Sequence, residues 1–261
     1  MAVYFLDSSA LVKRYISETG SVWVLGLFDP ALNNEAFIAD NELIKALEAA
    51  NDGREPSPFG SLEFKIPGYP VSIQAKKAAR DESVTRIKSS FGKIDYFLIG
   101  DIHLEFRWYI SAKSRYETDE NSDLDNALKP TIDAITGLEG LFIDDCQVRS
   151  LHVAWSHSMS GTEYINVRID FAPDEWCRRD NIIFIDIGQG LCVLAPKLLP
   201  TEGKQLWTSM LKTMAISKDA LLSLGISYPS VASLLGAPGP FHRTRVREFE
   251  VVTLNEYANN S

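Results

Sequence analysis

The chain switches repeatedly between the hydrophobic period of a strand and that of a helix, and the switch points divide it. LEFKIP (residues 62–67) sets apolar and polar side chains in turn, the pattern of a half-buried strand. YFLIGDIHLEFRWYI (96–110) alternates again, as do SLHVAWS (150–156) and TEYINVRIDF (162–171). In the last of these, Ile165, Val167, Ile169 and Phe171 fall on one face, and Asn166, Arg168 and Asp170 on the other. Between the strands, QAKKAARDESVTRIKSSF (74–91) reads as a basic helix or loop. Leu128, Ile132 and Ile135 then recur at helical spacing, with Gly137 just past the end. Pro130 has no amide hydrogen and suits a first turn, so this helix is expected to begin near residues 126–127.

The two ends read differently. Val3 to Leu6 form a short apolar strand, and Asp7-Ser8-Ser9 can cap a helix suggested by Ala10, Leu11 and Val12. NDGREPSPFGS (51–61) is dense in turn and breaker residues and reads as a linker. Beyond residue 171, NIIFIDIGQGLCVLA (181–195) resembles two apolar strands around a Gly-Gln-Gly turn, with two or three short helices to follow. The organisation expected is an N-terminal fragment (1–50), a linker (51–61), an α+β or α/β core (62–171) and a mixed C-terminal extension (172–261).

With 261 residues, 45% of them apolar, the chain can bury one generous core or two modest ones. A charge at Asp7 interrupts the start before a signal-length apolar region forms, and no run of eighteen apolar residues follows. A soluble, cytoplasmic protein without membrane contact is expected. Cys146, Cys177 and Cys192 show no CxxC spacing, so neither a disulfide framework nor a zinc site is indicated.

The net charge of −9 argues against a polyanionic partner, but the average hides a division. Residues 62–116 hold ten Lys/Arg against six Asp/Glu, and residues 117–147 hold one Lys against nine acids. A basic segment beside an acidic knot suits a metal-dependent enzyme on a phosphate backbone, where carboxylates hold cations and the basic surface holds the polymer.

Within the acidic stretch, SDLDNALK (122–129) places Asp123 and Asp125 two apart, on one side of an extended segment that feeds a helix. At a helix N-terminus carboxylates stay ionised and suit a hard cation such as Mg²⁺. Lys129, four residues after Asp125, can project towards the same site and act on a phosphate, or pair with Asp133. FIDDCQV (142–148) reads as a strand with Asp145 and Gln147 on one face and Asp144 and Cys146 on the other, so one aspartate of the pair can join. Three converging carboxylates repel unless cations lie between them. One or two divalent metals, a metal-bound water and a phosphodiester substrate follow as the expectation.

SDLDNALKPTIDAITGLEGLFIDDCQV as a whole resembles the signature of the RusA family of Holliday-junction resolvases: D-x-D-N-x-x-K, then D-A-[LI]-x-G, then D-D-x-Q-[VI]. The likeness runs from about Leu62 to Phe171, opening on LEFKIPGYPVSIQAKK. It implies an α+β fold, a mixed β-sheet packed with helices. It further implies a homodimeric, Mg²⁺-dependent endonuclease, with Mn²⁺ as the alternative ion, that makes paired nicks in a four-way DNA junction during recombination and repair. By this resemblance Asp123, Asp125 and Asp145 hold metal and Lys129 is catalytic. Two symmetric nicks on a nearly two-fold junction match a C2 dimer with one site per subunit. Lys76, Lys77, Arg80, Arg86 and Lys88 are the candidate phosphate contacts. One departure is acidic: ETDENSD (117–123) carries Glu117, Asp119 and Glu120 where the family often has basic residues.

VYFLDSSALVKRYISETG (3–20) resembles the opening of a PIN-domain ribonuclease of the VapC type, with Asp7 as its first acidic ligand. Lys45 stands where the next glutamate is expected, and Glu42 and Glu48 are out of register, so this reads as a truncated fragment without a site of its own. SKDALLSLGISYPSVASLLG (217–236) is faintly like a helix-turn-helix, and HRTRVRE (242–248) is a basic cluster open to nucleic acid or to a plain strand edge. Phe91 reads as a core residue or as a wedge for distorting a junction. The alternatives to a resolvase are a silent DNA-binding relic and a PIN-type ribonuclease using Asp7.

Overall fold

A computed structural model describes residues 3, 4, 35, 36, 41–117, 123–235 and 239–259. Two-residue strands β1 (Val3–Tyr4) and β2 (Glu35–Ala36) pair in parallel, and helix α1 (Asn41–Asn51) follows. The remainder of the PIN-like reading, Asp7 included, lies outside the described residues.

The central unit begins with β3 (Ser61–Pro67) and helix α2 (Lys77–Ser89). It continues through β4 (Tyr96–Leu98), β5 (Ile102–Ile110), α3 (Ala112–Glu117) and α4 (Leu124–Ile135), and closes with β6 (Val148–His157) and β7 (Tyr164–Phe171). Four strands form a mixed sheet in the order β3-β7-β5-β6, antiparallel except for the parallel β5/β6 pair. Period-two alternation decides its inner face. Leu104, Phe106 and Trp108 of β5 stand opposite Ile169, Val167 and Ile165 of β7, and all six are buried. Helix α4 turns Ala127, Ile132 and Ile135 onto that layer, and α2 adds Ile87. Phe91 is buried too, edge-on to Phe64, which makes it a core residue.

The apolar run 96–110 divides in two. Gly100 and Asp101 separate β4 from β5, and β4 leaves the main sheet to pair with β8 (Trp176–Arg178). That pairing joins the C-terminal residues to the centre. Strands β9 (Ile182–Gly188) and β10 (Leu191–Pro196) form the expected hairpin, its turn admitting Gln189 at φ 56° between two glycines. The short helices expected next are instead one 23-residue helix, α5 (Thr201–Ser223). The five-residue α6 (Tyr228–Ala232) after it is too short to serve as a groove-reading helix, which removes the helix-turn-helix reading. Strand β11 (Phe241–His242), strand β12 (Val251–Thr253) and helix α7 (Leu254–Asn259) complete the chain, and the second sheet runs β11-β10-β9-β12.

The central unit and the C-terminal residues share an apolar interface. Phe184, Phe241, Val246 and Phe249 of the C-terminal residues pack on Phe97, Ile99 and Ile143 of the central unit. Arg179 reinforces it, its guanidinium 4.2 Å from the Phe97 ring centre and bonded to the carbonyls of Ile94, Leu138 and Gly140. Among the described residues no helix is long and apolar enough to cross a membrane.

Candidate active site

Helix α4 begins earlier than its proline suggests. Asp123 is the N-cap, with extended backbone, and Pro130 lies inside the helix rather than in its first turn. A proline at 130 cannot donate to the carbonyl four residues back, that of Asn126. The amide of Ile73 takes that oxygen instead, at 2.8 Å. The interior proline therefore creates a docking point, and the loop leading into α2 is fixed against the first turn of α4. Lys76 and Lys77 follow within four residues, which brings the basic segment to the acidic one.

Asp125, Lys129 and Asp133 sit one turn apart on the same exposed stripe of α4. The ammonium of Lys129 bonds Asp133 Oδ1 at 2.5 Å and lies 3.4 Å from Asp145 Oδ2. The hydrogen bond it donates to Asp133 raises the lysine above its ordinary range, so it stays charged.

The aspartate pair does not lie on a strand. Asp145–Gln147 is one 3₁₀ turn with Asp144 as its N-cap. Asp144 Oδ1 accepts from the Cys146 amide at 3.0 Å. Gln147, 4% exposed, fixes the turn from within. Its Oε1 accepts from the amides of Ile143 (2.8 Å) and Asp144 (3.1 Å). Its Nε2 donates to the carbonyls of Leu98 (3.1 Å) and Gly100 (2.8 Å). Four bonds saturate one buried amide side chain, and they turn Asp145 outward, where it meets Lys129. The strand reading missed this because the partners of Gln147 lie almost fifty residues away.

A second cation comes from the far end of the chain. Arg245 Nη1 bonds Asp144 Oδ1 and lies 3.5 Å from Asp145 Oδ1. Burial pushes the Asp144 carboxyl up, but the hydrogen bonds from Cys146 and Arg245 outweigh it and hold it below its usual range. Burial, followed by the neighbouring Asp144, pushes the Cys146 thiol to about 12, so it is no nucleophile.

By donor type, Asp123, Asp125 and Asp145 suit Mg²⁺, being hard oxygen donors on exposed positions. By placement they do not yet fit it: among the described residues no three Asp, Glu, His or Cys side chains converge as a ligand set. Asp145 faces two cations instead.

Of the phosphate-contact candidates, Lys76, Lys77 and Arg80 are exposed at the start of α2. Arg86 is engaged internally, bonded to the Tyr69 carbonyl at 2.7 Å and packed over Gly68. Lys88 is paired with Glu139. Of the acidic approach, Glu117 ends α3, while 118–122 lie outside the described residues.

Residues 68–170 match the family model of endodeoxyribonuclease RusA. The match supports a RusA-family domain with an α+β fold over this segment. It runs from the turn after β3 almost to the end of β7, and contains Lys76 through Lys88, Asp123, Asp125, Lys129 and Asp145. The N-terminal PIN-like stretch and the Arg245 segment fall outside it. No curated protein matches the chain.

Proposed function

We propose that the RusA-like domain is a structure-specific endonuclease that cuts four-way DNA junctions in recombination and repair, acting as a cytoplasmic homodimer. The observation that carries this reading is the position of Lys129. It stands on the same helical stripe as Asp125 and 3.4 Å from Asp145, so the second half of the acidic motif comes to the helix that carries the first. Hydrolysis of a phosphodiester builds negative charge on the phosphoryl oxygens, and a fixed ammonium held charged by its neighbours answers it. Lys76, Lys77 and Arg80, tethered beside α4 through the Ile73–Asn126 bond, supply phosphate contacts that position the strand. Mg²⁺, with Mn²⁺ as the alternative, is the cofactor this reading requires, and Asp123, Asp125 and Asp145 are the oxygen donors offered to it. Two such subunits match the symmetry of paired nicks.

A second reading has its own support. With Asp145 paired to Lys129 and Arg245 and, among the described residues, no carboxylate triad assembled, the domain also suits a DNA-binding relic that recognises junctions without cutting them.

The deciding experiment incubates the full chain with a synthetic four-way junction and with linear duplex, with and without Mg²⁺. Paired Mg²⁺-dependent nicks in the junction alone, lost in Asp125→Asn while junction binding survives, are expected. Retained cleavage by that variant overturns the assignment, and binding without nicks selects the relic.

A further inference from the structure

Arg245 reaches the aspartate pair from outside the RusA-matched segment, across an interface built by the C-terminal residues. Three features fix its position. Phe241, Val246 and Phe249 on either side are buried against Phe97 and Ile143. Phe249 meets Phe97 and Phe184 edge-on, with ring centres 5.6 and 5.3 Å apart. His242 Nδ1 accepts from the Thr244 amide at 3.4 Å, capping the 3₁₀ turn Arg243–Arg245 that carries the arginine, and it also meets Thr244 Oγ1 at 2.8 Å. The backbone under Arg245 is thus anchored from both directions, and less freedom is lost in holding its side chain against the carboxylates.

Its target is the hinge of the candidate site. Asp144 is only 17% exposed, and its carboxylate is held by the amide and thiol of Cys146 and by the Arg245 guanidinium. Removing the guanidinium leaves a largely buried anion with the neutral donors of Cys146 and no cation, which favours its turning out to water. The Cys146 amide would then lose its acceptor, and the turn that presents Asp145 would loosen.

We propose that Arg245 is a positioning residue, supplied in cis by the C-terminal extension, that locks the Asp144–Gln147 turn and thereby sets Asp145 opposite Lys129. This inference rests on the endonuclease reading for its catalytic consequence, but not for its structural one. It gives residues 172–261 a role at the site: they complete a domain whose family-matched part ends before them.

The test compares Arg245→Ala and Arg245→Lys with the parent chain in two assays. Amide exchange followed by NMR reads the turn directly. Cys146 is expected to exchange about tenfold faster in the alanine variant, the loss of one hydrogen bond's worth of protection, with the lysine variant in between. Junction cleavage reads the consequence: kcat is expected to fall about 10- to 100-fold in the alanine variant, as when an outer partner of a site group is removed. KM should stay within about twofold, since Arg245 acts through Asp144 rather than on DNA. Unchanged exchange at Cys146, or an unchanged kcat in a parent chain that cuts, overturns the proposal. A loss of junction affinity with kcat intact overturns it too, because that marks Arg245 as a phosphate contact. If the parent chain binds or cuts nothing, the endonuclease reading fails by itself, and the exchange comparison still decides whether Arg245 locks the turn.

Discussion

Replacing Gln147 with Leu keeps the approximate volume of the side chain and deletes all its polar atoms. In the folded chain that amide completes four hydrogen bonds, two accepted from Ile143 and Asp144 and two donated to Leu98 and Gly100, all in a buried position. A net worth of about 1 kcal/mol per bond gives about 4 kcal/mol, and the orphaned backbone groups, at about 1–3 kcal/mol each when no water reaches them, push the figure upward. Partial relaxation of the turn towards solvent pulls it back, so about 4 kcal/mol of lost stability is expected. Urea unfolding followed by tryptophan fluorescence measures it, provided the m-value is unchanged, so that the midpoint shift reports stability alone. Since Gln147 holds the turn that carries Asp145, junction cleavage should disappear in the same variant under conditions where it is still folded. A loss below about 1 kcal/mol would refute the reasoning, because it would mean that Leu98, Gly100, Ile143 and Asp144 find other partners at no cost.

Two further outcomes follow from the same structure. Pro130→Ala supplies an amide that competes with Ile73 for the Asn126 carbonyl; removing an interior proline, a residue about 3 kcal/mol worse than Ala in a helix, should raise stability while the Ile73 amide exchanges faster, and unaltered exchange at Ile73 would remove the docking role assigned to the proline. Burial holds Cys177 and Tyr96, on the paired strands β8 and β4, up to about 12; both pKa values are raised on folding, so the stability they contribute is complete below the unfolded values, about 9 and 10, and is lost as pH rises towards about 12. Each group costs about 1.4 kcal/mol per unit of pH across its window, so urea midpoints should fall steadily from pH 9 upward, less steeply in Cys177→Ala, and a flat profile in the parent chain would contradict the burial.

Some elements were legible because their cause is local. The alternation of Ile165, Val167, Ile169 and Phe171 specifies a one-sided strand, and β7 buries those four residues. The Gly-Gln-Gly turn specifies the β9/β10 hairpin in the same way. Leu128, Ile132 and Ile135 specify helix α4, but not its start. A proline reads as a first-turn residue until an outside amide, here that of Ile73, is known to take the freed carbonyl.

The candidate site divides along the same line. The sequence by itself determined which side chains are the candidates for the chemistry: Asp123, Asp125 and Lys129 are set on one short stretch at spacings that a helix and its cap preserve. The tertiary structure decided which of them meet. FIDDCQV has the pattern of a strand, and bonds from Gln147 to the distant Leu98 and Gly100 help bend it into a turn that faces Asp145 towards Lys129. Arg86 and Lys88 look as free in the sequence as Lys76 and Lys77, yet Tyr69 and Glu139 engage them. Arg245 reaches Asp144 from a hundred residues away through the packing of Phe241, Val246 and Phe249. Periodicity encodes what a residue does with its near neighbours. A buried amide or a long-range ion pair depends on which distant atoms the finished core brings within about 3 Å, and no local pattern carries that information.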